Sequence, residues 1–286
     1  MPPSFIGHSR FPLTTDVVSA LTRSRLNPSA AGIGPGIFHA NSHASNHHNG
    51  HLTMRAPDQL RDVEIQRGYL ESNPASVLYR CGKTIVLCTA SLEPSVPPWL
   101  AGKGKGWVTA EYNMLPGSTS PRKRRDRGGK IDGRTTEIQR LIGRSLRSTI
   151  DLDALGENSI TVDCDVLQAD GGTRTASITG GFIALAQAVA MAVPGSKVGD
   201  GPLRDSVAAV SVGLLGTEVV LDLDYQLDSA ADVDMNVIMT GSGRFVEIQG
   251  TGEEATFDDE QLSEMLRLAK KGIRELTEKQ TQAIGE

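Results

Sequence analysis

The segment from Ile160 to Val193 constrains the fold of this chain more than any other. Its first part, Ile160-Thr161-Val162-Asp163-Cys164-Asp165-Val166-Leu167, alternates apolar and polar side chains, the period of a strand with one buried face. Its last part, from Thr179 to Val193, carries Phe182, Ile183, Leu185, Ala186, Val189 and Val193 at helical spacing. Between them lies Gln168-Ala169-Asp170-Gly171-Gly172-Thr173-Arg174-Thr175-Ala176-Ser177. A strand that passes through paired glycines into an apolar helix calls for a layered structure with helix packed on sheet. The junction itself has two readings. Glycines let a backbone approach a ligand, the first N–H groups of a helix are unsatisfied, and arginine matches phosphate, so it can cradle an anion. It can equally be an ordinary capped helix start.

The rest of the chain supports an α+β class. Short strands are predicted at Val63–Gln66, Ser76–Arg80, Lys83–Ala90 and Trp107–Glu111, then a helix over Thr135–Ile150. In that helix Ile138, Leu141, Ile142, Leu146 and Ile150 share one face, with Arg140, Arg144 and Arg147 on others. Asp205–Leu215 and Thr217–Asp224 read as a hairpin, Val233–Met239 and Arg244–Gln249 as two further strands. An amphipathic helix from about Asp258 closes the chain, with Leu262, Met265, Leu266, Ala269, Ile273 and Leu276 as its stripe. These groups of strands broken by three helices point to a mixed sheet with helices packed against it.

Histidine placement narrows the chemistry. All six histidines lie within the first 51 residues, so a folded unit beyond them cannot use imidazole as base or metal ligand. Carboxylates, basic side chains and hydroxyls must then carry any reaction. Residues 1–53 are rich in Gly, Ser, Pro, Asn and His, and are expected to be a disordered extension, either a transit-type segment or the product of an upstream start codon. A metal site at His43, His47 and His48 is not expected. Cys81, Cys88 and Cys164 are unclustered, which fits buried free thiols in a reducing, cytoplasmic setting. No apolar run reads as a membrane span.

Two other clusters stand out. Arg122-Lys123-Arg124-Arg125-Asp126-Arg127 with Lys130 sets six basic residues against one acid, in a chain of formal net charge −5. It reads as a grip on a phosphate backbone or as a solvated loop. Aromatic content is only 4% and does not interleave with this run, so base stacking is not visible in the sequence. The second cluster is acidic: Asp222, Asp224, Asp228, Asp232 and Asp234. Asp222 and Asp224 alternate with leucines and read as an exposed strand face. Asp228 and Asp234 would be roughly 20 Å apart if extended. They can share a metal only if Ser229-Ala230-Ala231 turns, and such a pair suits Mg²⁺. Gly32-Ile33-Gly34-Pro35-Gly36 follows no strand and no GxxxxGK[ST] occurs, so Rossmann and P-loop readings fail.

Several ordered segments together resemble the ribonuclease PH family. They are Gly106-Trp107-Val108-Thr109-Ala110-Glu111-Tyr112 with Met114-Leu115-Pro116, Gly133-Arg134-Thr135 with Glu137-Ile138-Gln139-Arg140, and the run from Asp163 to Arg174. Asp228-Ser229-Ala230-Ala231, Asp234-Met235-Asn236-Val237 and Glu247-Ile248-Gln249-Gly250-Thr251 complete the set. The resemblance implies one RNase PH domain over residues 54–286, of βαβ-type units, forming a ring-shaped homohexamer built as a trimer of dimers. It implies phosphate-dependent 3′→5′ exoribonuclease activity on tRNA precursor 3′ ends, with inorganic phosphate as co-substrate and no membrane. By the same resemblance Arg134, Gly172, Thr173 and Arg174 bind phosphate. Asp228 and Asp234 are the catalytic pair that associates with Mg²⁺, and Arg122, Lys123, Arg124, Arg125 and Arg127 contact RNA. The family's Arg-Asp-Gly-Arg motif is reduced here to Met54-Arg55-Ala56-Pro57. The rival classes are a non-catalytic, exosome-like RNA-binding ring subunit and a hydrolytic nuclease.

Overall fold

The computed structural model describes residues 55–125, 132–252 and 255–285; the expected disordered extension, Arg127 and Lys130 lie outside them. The alternating segments pair into two sheets rather than one. The first holds β1 (Val63–Arg67), β2 (Ser76–Cys81), β3 (Thr84–Glu93), β4 (Trp107–Met114) and β5 (Ser159–Gln168), in the order β1-β2-β3-β5-β4. Only β4 and β5 are parallel, and α1 (Gly133–Arg147) makes the crossover between them. The second sheet holds β6 (Val207–Leu215), β7 (Glu218–Leu221), β8 (Val233–Thr240) and β9 (Phe245–Gly252), all antiparallel, in the order β7-β6-β8-β9.

Between the sheets runs α2 (Thr173–Ala192), touching β2, β3 and β5 on one side and β6 on the other. This placement explains its composition. A helix with sheet on two sides has no wet face, so it is apolar all round. It is long and apolar enough to cross a bilayer, yet most of it is buried within the protein. The polar residues of its first turns are buried because backbone carbonyls accept their hydroxyls: Ser177 Oγ donates to Thr173 O at 2.8 Å, and Thr175 Oγ1 to Gly172 O at 2.9 Å.

The strand β6 is buried on both faces for the same reason. Its Val207 and Ala209 join the core around α1 and α2, while Ala208, Val210, Val212 and Leu214 join a second core. That second core is sealed by α4 (Asp259–Ile284), whose Met265, Leu268, Ala269, Ile273 and Leu276 are buried. Asp258 starts α4 with a reciprocal capping box to Gln261, as its position before the stripe predicts. All three cysteines are free and buried, as expected.

Two differences from the sequence reading bear on the site. The helix read from Thr179 begins at Thr173, so the glycine pair leads directly into its first turn. A short helix, α3 (Tyr225–Ala230), occupies the stretch between the acidic strand and Asp232.

Candidate active site

The starts of α1, α2 and α3 meet residues of β4, β6 and β8 at a cleft of about 440 Å³. It is lined by Arg134, Gly172, Thr173, Arg174, Asp228 and Asp234, which brings together the four expected phosphate ligands and both expected catalytic carboxylates.

Each side chain arrives there for a local reason. Arg134 lies in the first turn of α1, whose N-cap Asp132 accepts from Thr135 N at 2.6 Å. Arg174 lies in the first turn of α2, where the N-cap is Gly172 in the left-handed region at φ 63°. No side chain caps α2, so the N–H groups of its first turn face the cleft together with the positive end of the helix dipole. This is the geometry that an anion cradle requires, and it is not that of a helix start capped by a side chain. Thr173 Oγ1 lies 2.9 Å from Tyr112 Oη; burial raises the Tyr112 phenol, so it stays protonated. Arg174 Nη1 donates to Gln249 Oε1 at 3.0 Å, and Gln249 Nε2 donates in turn to Glu137 Oε1 at 3.2 Å, which fixes the guanidinium over the cleft.

The carboxylates come from the second sheet. On β8, Met235 is buried while Asp234 and Asn236 alternate onto the other face and line the cleft. Asp228 sits in the first turn of α3, which Asp224 caps by accepting from Gln226 N and Leu227 N at 3.0 Å each. The turn that lets Asp228 approach Asp234 is therefore helical.

Asp222 was expected on an exposed strand face; it is buried, at φ 58°. Its carboxylate accepts from Arg61 Nη2 at 2.7 Å, Arg61 Nε at 3.0 Å, Arg61 N at 2.8 Å and Arg55 Nη1 at 3.3 Å. Burial pushes this carboxyl up, but the hydrogen bonds and charge of Arg61, joined by Arg55, hold it below the ordinary carboxylate value. Arg61 Nη1 also donates to Asp170 O at 2.7 Å, immediately before the glycines. Thr84 completes the brace: its Oγ1 donates to Gly171 O at 2.7 Å and accepts from Asp170 N at 3.0 Å. A Cβ on Gly171 would come within 2.5 Å of Asp224 C, so the cradle and the cap of α3 touch through a glycine. Asp222 thus ties both halves of the site to one buried charge pair. Sequence reasoning missed Arg61 and treated Arg55 only as a reduced motif, because the partner lies 161 residues away. A leucine-flanked aspartate before a turn and two early arginines are the only traces in the sequence.

None of Arg122, Lys123, Arg124 and Arg125 lines the cleft, although Thr119 of the same segment does. Arg122, Arg124 and Arg125 are exposed, whereas Lys123 pairs with Asp132 at 3.2 Å beside the start of α1. Asp163 and Asp165 lie next to Glu111 outside this cleft, and burial, joined by repulsion from Glu111, raises both carboxyls. Among the described residues no group of three or more His, Cys, Asp or Glu is positioned to hold a metal ion.

Comparison with known proteins shows the family of the chain. Residues 59–190 match the model of the 3′ exoribonuclease family, domain 1, and residues 205–272 that of domain 2. The chain belongs to this family, and within it to the ribonuclease PH group of phosphorolytic 3′→5′ exoribonucleases. Ribonuclease PH of Rhodopirellula baltica is 76% identical over 233 residues, covering 80% of this chain and 95% of that protein. Ribonuclease PH of Bacillus subtilis is 54% identical over 234 residues, covering 81% and 96%. The Archaeoglobus fulgidus exosome with RNA bound to its active site shares the fold at TM-score 0.66 and 22% identity, covering 80% of this chain and 91% of that one. Rice Rrp46 does so at TM-score 0.65 and 17% identity, covering 81% and 99%.

Proposed function

We propose that Arg134, Gly172, Thr173 and Arg174 bind the attacking inorganic phosphate, and that Asp228 and Asp234 act on the scissile phosphodiester of an RNA 3′ end. The meeting of two arginine-bearing helix starts with two carboxylates in one cleft carries this reading. Phosphate and phosphodiester repel, and the cations with the α2 N–H groups offset that repulsion where charge develops. A phosphate oxygen attacks phosphorus, the P–O3′ bond breaks, and the terminal nucleotide leaves as a nucleoside diphosphate. The proton of hydrogen phosphate balances the new 3′ hydroxyl of the shortened RNA, so the reaction needs no imidazole.

Two carboxylates with Asn236 alongside form a donor set that suits Mg²⁺, which takes one or two carboxylates with phosphate oxygens and water. Held by Asp228 and Asp234, the ion would supply positive charge to the transferring phosphoryl group. Arg122, Lys123, Arg124, Arg125 and Arg127 guide the RNA backbone. Residues 54–286 work as one RNase PH domain in the cytoplasm, on tRNA precursor 3′ ends, within a homohexameric ring built as a trimer of dimers.

The test uses RNA with a short 3′ tail, with and without inorganic phosphate. Nucleoside diphosphate should appear only with phosphate, and Asp234→Asn should abolish it while RNA is still bound. Nucleoside monophosphate released without phosphate would overturn the phosphorolytic assignment, and full activity of Asp234→Asn the catalytic one.

A further inference from the structure

The proposed cleft grips phosphates and carries the reacting carboxylates, yet an RNA end also presents a base. Backbone contacts position a nucleic acid without engaging its bases. A nuclease that removes successive nucleotides needs a base contact indifferent to sequence, and an aromatic face provides one because every base has a π-face.

Seven large apolar side chains are exposed among the described residues, and Tyr225 alone of these lines the cleft. It is 65% exposed, so its ring is not part of either core. Tyr225 is the first residue of α3, and Asp228 follows three positions later on the same helix. Residues spaced by three on a helix are neighbours, with Cβ atoms about 5–6 Å apart. That is a nucleotide's reach from its phosphate to its base. The anchoring is firm at the backbone: Asp224 caps the turn, Ser229 Oγ donates to Tyr225 O at 2.7 Å, and Asp222 fixes the chain just before it. The ring thus projects into the cleft from a braced position next to a catalytic carboxylate.

We infer that Tyr225 is a stacking platform for the base of the 3′-terminal nucleotide, the one released as diphosphate. This rests on the phosphorolytic reading of the same cleft. The platform holds the leaving nucleotide while Arg134 and Arg174 hold the attacking phosphate, so the two substrates bind through separate side chains. Sequence alone pointed the other way, because the single useful aromatic lies about a hundred residues from the basic run and only the fold brings it to the cleft.

The experiment is a two-by-two comparison. Wild-type enzyme and Tyr225→Ala are assayed on an RNA with an ordinary 3′-terminal nucleotide and on the same RNA with an abasic one. Base–aromatic stacking is worth enough that Tyr225→Ala should raise KM for the ordinary RNA about tenfold. The abasic RNA should show the same raised KM with both enzymes, and KM for phosphate should be alike in both. Tyr225→Phe should behave as wild type, since the ring and not the hydroxyl is required. If Tyr225→Ala weakens ordinary and abasic RNA by the same factor, or moving the abasic residue one position inward is what removes the difference, the assignment to the terminal base is wrong. Failure of wild-type enzyme to release diphosphates at all would instead remove the phosphorolytic reading, a separate result.

Discussion

Replacing Asp222 by Asn tests the brace behind the proposed active site. The side chains of Arg61 and Asp222 are only 9% and 4% exposed, so solvent screens their attraction little. Asparagine keeps nearly the same shape and tolerates the left-handed backbone that Asp222 adopts at φ 58°, so the variant changes charge and leaves the turn intact. An amide presents one oxygen and two N–H donors where the carboxylate accepted from Arg61 Nη2, Nε and N and from Arg55 Nη1. Removing one partner of a buried pair costs about 3–5 kcal/mol because the other charge stays buried. The low end applies here, about 3 kcal/mol, since Arg61 keeps its bond to Asp170 O. For a domain of this size that lowers Tm by about 10 °C.

The measurement is urea unfolding with phosphorolysis kinetics beside it. Loosening Arg61 loosens the carbonyl before the glycines, so kcat/KM for phosphate should also fall, by about tenfold. The pH dependence has a defined sign. The Asp222 carboxyl is held below its unfolded value, so its stabilisation is complete above that value, near 3.9, and is lost as pH falls through the lower folded one. Wild type and Asp222→Asn should therefore converge in stability as the medium becomes strongly acidic. Arg61→Met combined with Asp222→Asn should recover part of the loss, because replacing both charges is often neutral. A loss under about 1 kcal/mol at neutral pH, the size of an exposed pair, would refute the reasoning.

Two further outcomes follow from the same geometry. Gly171→Ala combines a backbone at φ 74° with a Cβ 2.5 Å from Asp224 C, so it should displace the cap of α3 and lower phosphorolysis at least about tenfold; Gly68→Ala, at φ 60° with open space, should cost only the backbone term of about 1–2 kcal/mol and spare activity. Equal effects of the two would contradict the contact argument. The buried thiols should resist a thiol reagent in the native protein, with Cys81 pushed up to about 12 by burial and the Asp222 charge, and all three should react after unfolding. Rapid native labelling of any of them would show that its core opens.

Much of the fold is legible in one sequence because burial is periodic. The alternation of Ile160 to Leu167 and the stripe of α4 each report one wet and one dry face, so period and outcome coincide. The start of α2 is hidden by the same logic, since Thr173, Thr175 and Ser177 look polar but pair their hydroxyls with nearby oxygens inside the protein. A six-residue helix such as α3 offers too few turns for a period to show.

Residue types and their spacing alone set the chemistry available: no histidine beyond residue 51, paired glycines ending in arginine, and two aspartates beside small residues. These are properties of residue types and short spacings, and they do not depend on distant partners. It took the folded chain to make Asp222 a buried anchor instead of a wet strand residue, to give it Arg61 as partner, and to bring Tyr225 to the same cleft as Asp228. The reason is physical. A charge's role depends on how much water is left around it and which counter-charge replaces that water, and both are set by chain segments that meet only when the two sheets close on α2.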